Sequence, residues 1–132
     1  MGPHHHDQRL NARTPGNLTS GARNTSLVHF TRTLALQLGR DGITVNCIHP
    51  DATRTERRVA QLAERSKKLG LPPKEIERRD YAEGAPGGNA IGRMVDPSEI
   101  AYVAVFLAPN QARALTGEVL VPNGGAGNAV YY

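Results

Sequence analysis

The sequence predicts an α/β fold organised on a parallel sheet, and three stretches carry that prediction. Residues 27–50 read as an amphipathic helix, a tight turn and an apolar strand. Residues 96–107 read as an apolar helix with a strong start signal, and residues 118–122 as a short strand. Helix, turn and strand make half of an α/β unit, and a near-continuous apolar strand suits a parallel sheet covered on both faces.

In the first stretch Leu27, Phe30, Leu34 and Leu38 are spaced three, four and four apart, with Val28 and Ala35 widening the stripe. That is the helical period, and it predicts that this face is buried. Thr19 or Ser20 supplies a capping hydroxyl at the start, and Gly39 supplies the stop. Asp41-Gly42 is a turn dipeptide, and the β-branched run 43–50 follows it as a strand. Thr53–Leu69 reads as a second helix with Val59, Leu62, Ala63, Ser66 and Leu69 on one face and Gly70 at its end, unless Asp51 caps it from further back. Leu71-Pro72-Pro73 breaks it, and a short helix starts at Pro73.

Residues 81–92 form a loop. Its glycines at 84, 87, 88 and 92 suggest a phosphate loop only superficially, because no strand leads in and no lysine follows. Asp96-Pro97-Ser98-Glu99 combines a capping aspartate, a first-turn proline and a glutamate placed to close a capping box. Ile100, Val103, Ala104 and Leu107 follow at helical spacing, and with Val105 and Phe106 the helix is apolar nearly all round. Tyr102 within it is expected in the core with its hydroxyl at an edge. Thr116-Gly117 leads into the strand 118–122, residues 123–127 turn, and Ala129–Tyr132 is an apolar tail suited to an interface.

Composition narrows the function. The 132 residues suffice for one domain, but the 39% hydrophobic content sits in a few blocks and residues 1–17 are polar, with His4-His5-His6 reading as a tag or an unstructured start. The net charge of +4 comes from 16 Lys+Arg against 12 Asp+Glu. Much of the excess lies in 54–68, where Arg57, Arg58, Arg65, Lys67 and Lys68 interleave with Glu56 and Glu64, as on a solvated helix face. No zinc knuckle, helix-turn-helix or aromatic RNA-binding signature supports a nucleic-acid partner. Cys47, the single cysteine, rules out an intrachain disulfide and a multi-cysteine metal site, and its place in the strand predicts a buried, inert thiol. No metal site is expected. No apolar run approaches the roughly 20 residues of a membrane helix, and no signal peptide opens the chain, so a soluble, cytoplasmic protein is expected.

Residues 31–50 with Thr53-Arg54-Thr55, and residues 91–125, together resemble the C-terminal half of the short-chain dehydrogenase/reductase family. The resemblance implies a partial Rossmann-like fold, the helix-strand-helix-strand part of that family's sheet, spanning 18–132 with 51–93 as a lid-like helical insertion. It implies an oxidoreductase ancestry. Counting back from Thr31-Arg32, the family's Tyr-x-x-x-Lys pair falls on Ser20 and Asn24. A phenol exchanges a proton with the substrate oxygen, and the lysine one turn away lowers its pKa and binds the cofactor's ribose. Serine is far too weak an acid for that role, and asparagine carries no charge. Arg23 lies about 100° round the helix from Asn24 and does not replace the lysine.

His49-Pro50-Asp51 stands where the family has Pro-Gly beside the nicotinamide, and Pro50, Thr53 and Thr55 match a remnant of the cofactor wall. The family's Gly-rich pyrophosphate turn has no counterpart among these residues. Two strands do not make a stable sheet alone, so completion by oligomerisation is expected, as a homodimer formed through the apolar helices and the C-terminal strand and tail. No cofactor is expected for the isolated chain, and NAD(P) is expected where a complementary half is present. Three readings stay open: a truncated relative with no independent dehydrogenase activity; an NAD(P)-dependent oxidoreductase completed by an N-terminal half supplied elsewhere; and a repurposed small lyase, hydratase or cyclase using Asp51, His49 and Tyr81.

Overall fold

A computed structural model describes residues 18–127. The readings made for residues 1–17, including His4–His6, and for the tail from Ala129 lie outside the described residues. The elements are α1 (Leu18–Leu38), β1 (Cys47–Ile48), α2 (Glu56–Leu69), α3 (Pro73–Asp80), α4 (Pro97–Leu107) and β2 (Val119–Leu120). They fall into two compact units, one ending its first segment at His49 and resuming over Val103–Val121, the other comprising Pro50–Tyr102 and the residues from Pro122 onward.

In the first unit β1 and β2 pair in parallel, Cys47 opposite Val119 and Ile48 opposite Leu120, as the apolar strand pattern predicts. The regular strands are short, but hydrogen bonding continues around them. The Gly117 N–H donates to the Val45 carbonyl at 2.7 Å, Cys47 N–H to Glu118 at 2.9 Å and His49 N–H to Leu120 at 2.8 Å. Asn46 is a bracket that the pattern does not reveal. Its amide nitrogen donates to the Leu115 carbonyl and its oxygen accepts from the Glu118 N–H, at 2.8 and 3.1 Å. Cys47 is buried, as expected.

Helix α1 departs from its predicted stripe. Thr31 and Ala35 are its buried positions, Leu34 and Leu38 are half-buried, and Leu27, Phe30 and Leu36 are exposed. A large side chain is buried only where something lies over it, and the strand backbone approaches α1 closely along a narrow line of small residues. A Cβ at Gly117 would already stand 3.4 Å from that of Ala35. The Thr31 hydroxyl, buried there, is satisfied by donating to the Leu27 carbonyl at 2.8 Å. The helix stop also moves: Gly39 opens a 3-10 turn, and the left-handed residue is Gly42 at φ 75°.

In the second unit α2 begins later than predicted. Thr53 is extended and bridges in parallel to Val95, while Thr55 caps α2 by accepting the Arg58 N–H. Thr55 takes the capping role offered to Asp51 because the bridge keeps 52–54 extended. The Val95 N–H donates to Ala52, and the Arg54 N–H to Val95, each at 2.9 Å. Gly70 ends α2 in the left-handed region at φ 63°, and Pro73 opens α3, both as predicted. The core joins Leu62, Ile76, Tyr81 and Met94, with Ala52 and Leu71 packed against it. Val59 and Leu69, assigned to the same face of α2 as Leu62, are exposed. Arg65 grips Asp80 through both guanidinium nitrogens and fastens α2 to the end of α3.

The glutamate half of the capping box that opens α4 forms as read, the Asp96 N–H donating to Glu99 at 2.8 Å, while the Glu99 N–H bonds the Asp96 backbone carbonyl at 3.0 Å. Arg93 adds a bidentate grip on the same carboxylate, both bonds 2.8 Å. The Arg93 guanidinium, then the Asp96 N–H, hold the Glu99 carboxyl down at about 2, against an ordinary 4.5. A depressed folded-state pKa supplies stability above the unfolded value and loses it as pH falls through the folded one. The Arg93–Glu99 contribution is therefore expected intact above about pH 4.5 and gone near pH 2. A carbon-detected NMR titration checks this: Arg93→Leu should move the Glu99 midpoint upward, and an ordinary midpoint in the unsubstituted chain would refute the pairing. No side chain of α4 is buried. Tyr102, at 72% exposure, is not the core residue it was expected to be, and Val105 and Phe106 are exposed beside it in sequence. None of the described helices is long and apolar enough to cross a membrane.

Candidate functional site

The residues singled out by sequence fall in both units. Ser20 and Asn24 lie on α1 and His49 closes the first segment of the first unit, whereas Pro50, Asp51, Thr53, Thr55 and Tyr81 belong to the second. Asn24 is half-buried and Arg23 exposed. No group of three or more His, Cys, Asp or Glu capable of holding a metal occurs among the described residues.

Within the second unit, Asp51–Thr55 is a short extended segment leading into α2. The Thr53 hydroxyl donates to the Asp51 carbonyl at 2.6 Å, and the Thr55 N–H donates to the Thr53 carbonyl at 2.9 Å. The Thr55 hydroxyl accepts from the Arg58 N–H at 3.4 Å. A carbonyl only accepts, so Thr53 has committed its proton and keeps lone pairs to offer. Thr55 has used a lone pair and keeps its proton. The segment thus presents one acceptor and one donor, two residues apart.

Tyr81 is buried in the core with Leu62, Ile76 and Met94. Desolvation raises its phenol pKa; Arg58 acts downward, and the Asp80, Glu77 and Asp51 charges act upward. A phenol held more firmly to its proton is a poorer acid at neutral pH. The structure does bring Asp51, Arg58 and Tyr81 within electrostatic reach of one another.

Arg54, which the sequence offered only as a companion of Asp51 and His49 in an acid/base cluster, has partners that the sequence did not reveal. Arg54 donates through Nε to Asp96 at 2.8 Å and through a terminal nitrogen to Glu77 at 2.7 Å. Glu77, buried on α3, also accepts the Met94 N–H at 3.0 Å. Burial lowers the Arg54 pKa, but the bonds to Glu77 and Asp96 outweigh it and leave the group above its ordinary value. The available signal was slight: a glutamate beside an isoleucine that the helical period turns inward.

A parallel pair joined through a helical crossover, with a hydroxyl-bearing segment beyond the first strand, places the chain in the Rossmann class of α/β proteins. The family model described as enoyl-(acyl carrier protein) reductase matches residues 10–127. The chain belongs to the short-chain dehydrogenase/reductase family. It is 40% identical over 100 residues to the short-chain reductase protein NovJ of Streptomyces niveus, covering 76% of this chain and 35% of that one. It is 31% identical over 112 residues to the 3-oxoacyl-(acyl-carrier-protein) reductase FabG of Chlamydia muridarum, covering 85% and 39%. Among solved structures, a variant of actinorhodin polyketide ketoreductase with NADPH superposes with a TM-score of 0.70 at 30% identity, over 92% of this chain and 45% of that one. L-sorbose reductase from Gluconobacter frateurii, complexed with NADPH and L-sorbose, gives 0.70 at 29% identity, over 84% and 41%. The chain spans well under half the length of these relatives.

Proposed function

We propose that this chain forms the lid and interface portion of a short-chain dehydrogenase/reductase and is not a dehydrogenase on its own. NAD(P) binding and hydride transfer then belong to an assembly in which a Gly-rich nucleotide-binding portion joins it. The observation that carries this reading is α1, which presents Ser20 and Asn24 at the positions where the family resemblance places Tyr and Lys. Neither supplies the acidic proton or the positive charge that carbonyl reduction uses. Thr53 and Thr55 fit a nicotinamide cofactor in that assembly, because an acceptor and a donor on one segment match the amino and carbonyl groups of a carboxamide. The cofactor would supply the hydride; these residues would only hold and orient it. The exposed Phe30, Leu36, Tyr102, Val105 and Phe106 support completion of the fold by a second copy or by the nucleotide-binding portion. A lone buried cysteine accords with a reducing, cytoplasmic setting.

The electrostatic proximity of Asp51, Arg58 and Tyr81 favours a second reading, a repurposed lyase, hydratase or cyclase with His49 as a further participant. The raised phenol pKa and burial of Tyr81 weigh against it. Fluorescence titration of the purified chain with NADH and NADPH, with its mass in solution recorded alongside, tests the first reading. No saturation up to about 1 mM is expected, a bound state worth less than about 4 kcal/mol. Micromolar binding by the chain alone would overturn it.

A further inference from the structure

Three segments of the second unit converge on Arg54. Its backbone N–H bonds to Val95, one face of its guanidinium takes Asp96 at the start of α4, and another takes Glu77 on α3. Glu77 has a side chain only 9% exposed and holds the Met94 N–H with the oxygen that Arg54 grips. A carboxylate buried this deeply is tolerated because a charged partner and a second donor satisfy it. The guanidinium's rigid planar fork holds its two carboxylates in fixed directions, a constraint that a rotating ammonium does not impose. Arg54 also stands between Thr53 and Thr55, and the Thr55-to-Thr53 backbone bond passes over it in sequence. Arg54 shares its backbone with both threonines, so a shift of that backbone is expected to be felt at each of them.

We propose that Arg54 is a positioning residue: through Glu77 it locks the helical insertion to the Thr53–Thr55 segment, so that the threonine hydroxyls keep their orientation only while α3 is docked. The insertion thereby reports its own closure to the segment that faces the cofactor, without touching the cofactor itself. The role rests on the cofactor-facing reading of Thr53 and Thr55, but the lock is a property of the chain alone and its test needs no nucleotide.

That test is amide hydrogen exchange, resolved by NMR, on the full chain and on Arg54→Met, Glu77→Gln and the double variant. Glu77→Gln retains an acceptor for Met94 and withdraws the charge from Arg54; Arg54→Met retains the stem and removes both bonds. Each single variant is expected to speed exchange at the Arg54 and Thr55 amides about ten-fold or more, the scale of one charged hydrogen bond. The double variant should exchange no faster than the faster single, because one lock is broken only once. The Cys47, His49 and Gly117 amides of the first unit should be unchanged. Arg54→Lys, which keeps the charge but not the planar fork, should fall between the unsubstituted chain and Arg54→Met. Unchanged exchange in the single variants, or multiplied effects in the double, would overturn the lock. So would loss of protection across both units in every variant, which would make Arg54 a general fold support. Nucleotide titration bears on the cofactor reading alone and leaves these exchange rates as they are.

Discussion

Ile76→Ala is expected to destabilise the second unit by about 2–5 kcal/mol, the range for removing a large buried aliphatic side chain without full collapse of the space it leaves. Ile76 is 2% exposed and packs with Leu62, Tyr81 and Met94, residues drawn from α2, the end of α3 and the approach to α4. No other described residue combines that size with that burial. With so few core members, little is available to refill the gap. A urea series followed by Tyr81 fluorescence or by its NMR signal should show a lowered midpoint. Amides of α2 and α3 should lose protection before Cys47 and His49 do. A shift below about 1 kcal/mol would mean that this cluster is not what holds the insertion.

Gly88→Ala is the second large effect, and it acts through the backbone. Gly88 donates its N–H to the Ala85 carbonyl at 2.8 Å. A Cβ there would meet the Ala85 carbonyl oxygen at 2.9 Å and press harder still on that of Ala82. Neither neighbour is the tip of a flexible side chain, so the loop must open. A cost of about 1–3 kcal/mol follows from the overpacking range. Gly39→Ala is the control: an added Cβ meets nothing within 4 Å, and the backbone there is not left-handed. It should be neutral or slightly stabilising, by up to about 1 kcal/mol, through the unfolded chain. Thermal melts of the two variants side by side decide the matter, and equal midpoints would show the loop to be yielding.

What the sequence made legible was local. The Asp96–Glu99 capping box, the proline at the start of α3, the Gly70 stop and the parallel character of the 43–50 strand each depend on residues within a turn of one another or on the polarity of a short run. The start of α2 was misread because Asp51, Thr53 and Thr55 all have capping side chains, and only the bridge to Val95, 42 residues on, decides among them. The α1 stripe was misread for a related reason. Period identifies which residues share a face, but burial depends on what lies opposite, and opposite Ala35 the chain at Gly117 leaves little room for anything larger. Of the candidate site, Thr53 and Thr55 were singled out by resemblance, but the pairing of Arg54 with Glu77, 23 residues on, had no local signal because each lies among charges that resemble any solvated helix.

The parallel pairing of β1 with β2 has a kinetic consequence. Asn46 and Glu118, which bracket that pairing, are 72 residues apart in sequence. Closing so long a loop early would forfeit chain entropy before many contacts compensate it. Most of the intervening residues belong to the second unit, whose helices α2 and α3 are near neighbours in sequence and joined by a three-residue break. Once those residues condense, the effective tether between the strands is no longer a free chain but a folded spacer. Assembly is therefore expected to run from the middle outward, with α2 and α3 condensing first and the β1–β2 pair closing last.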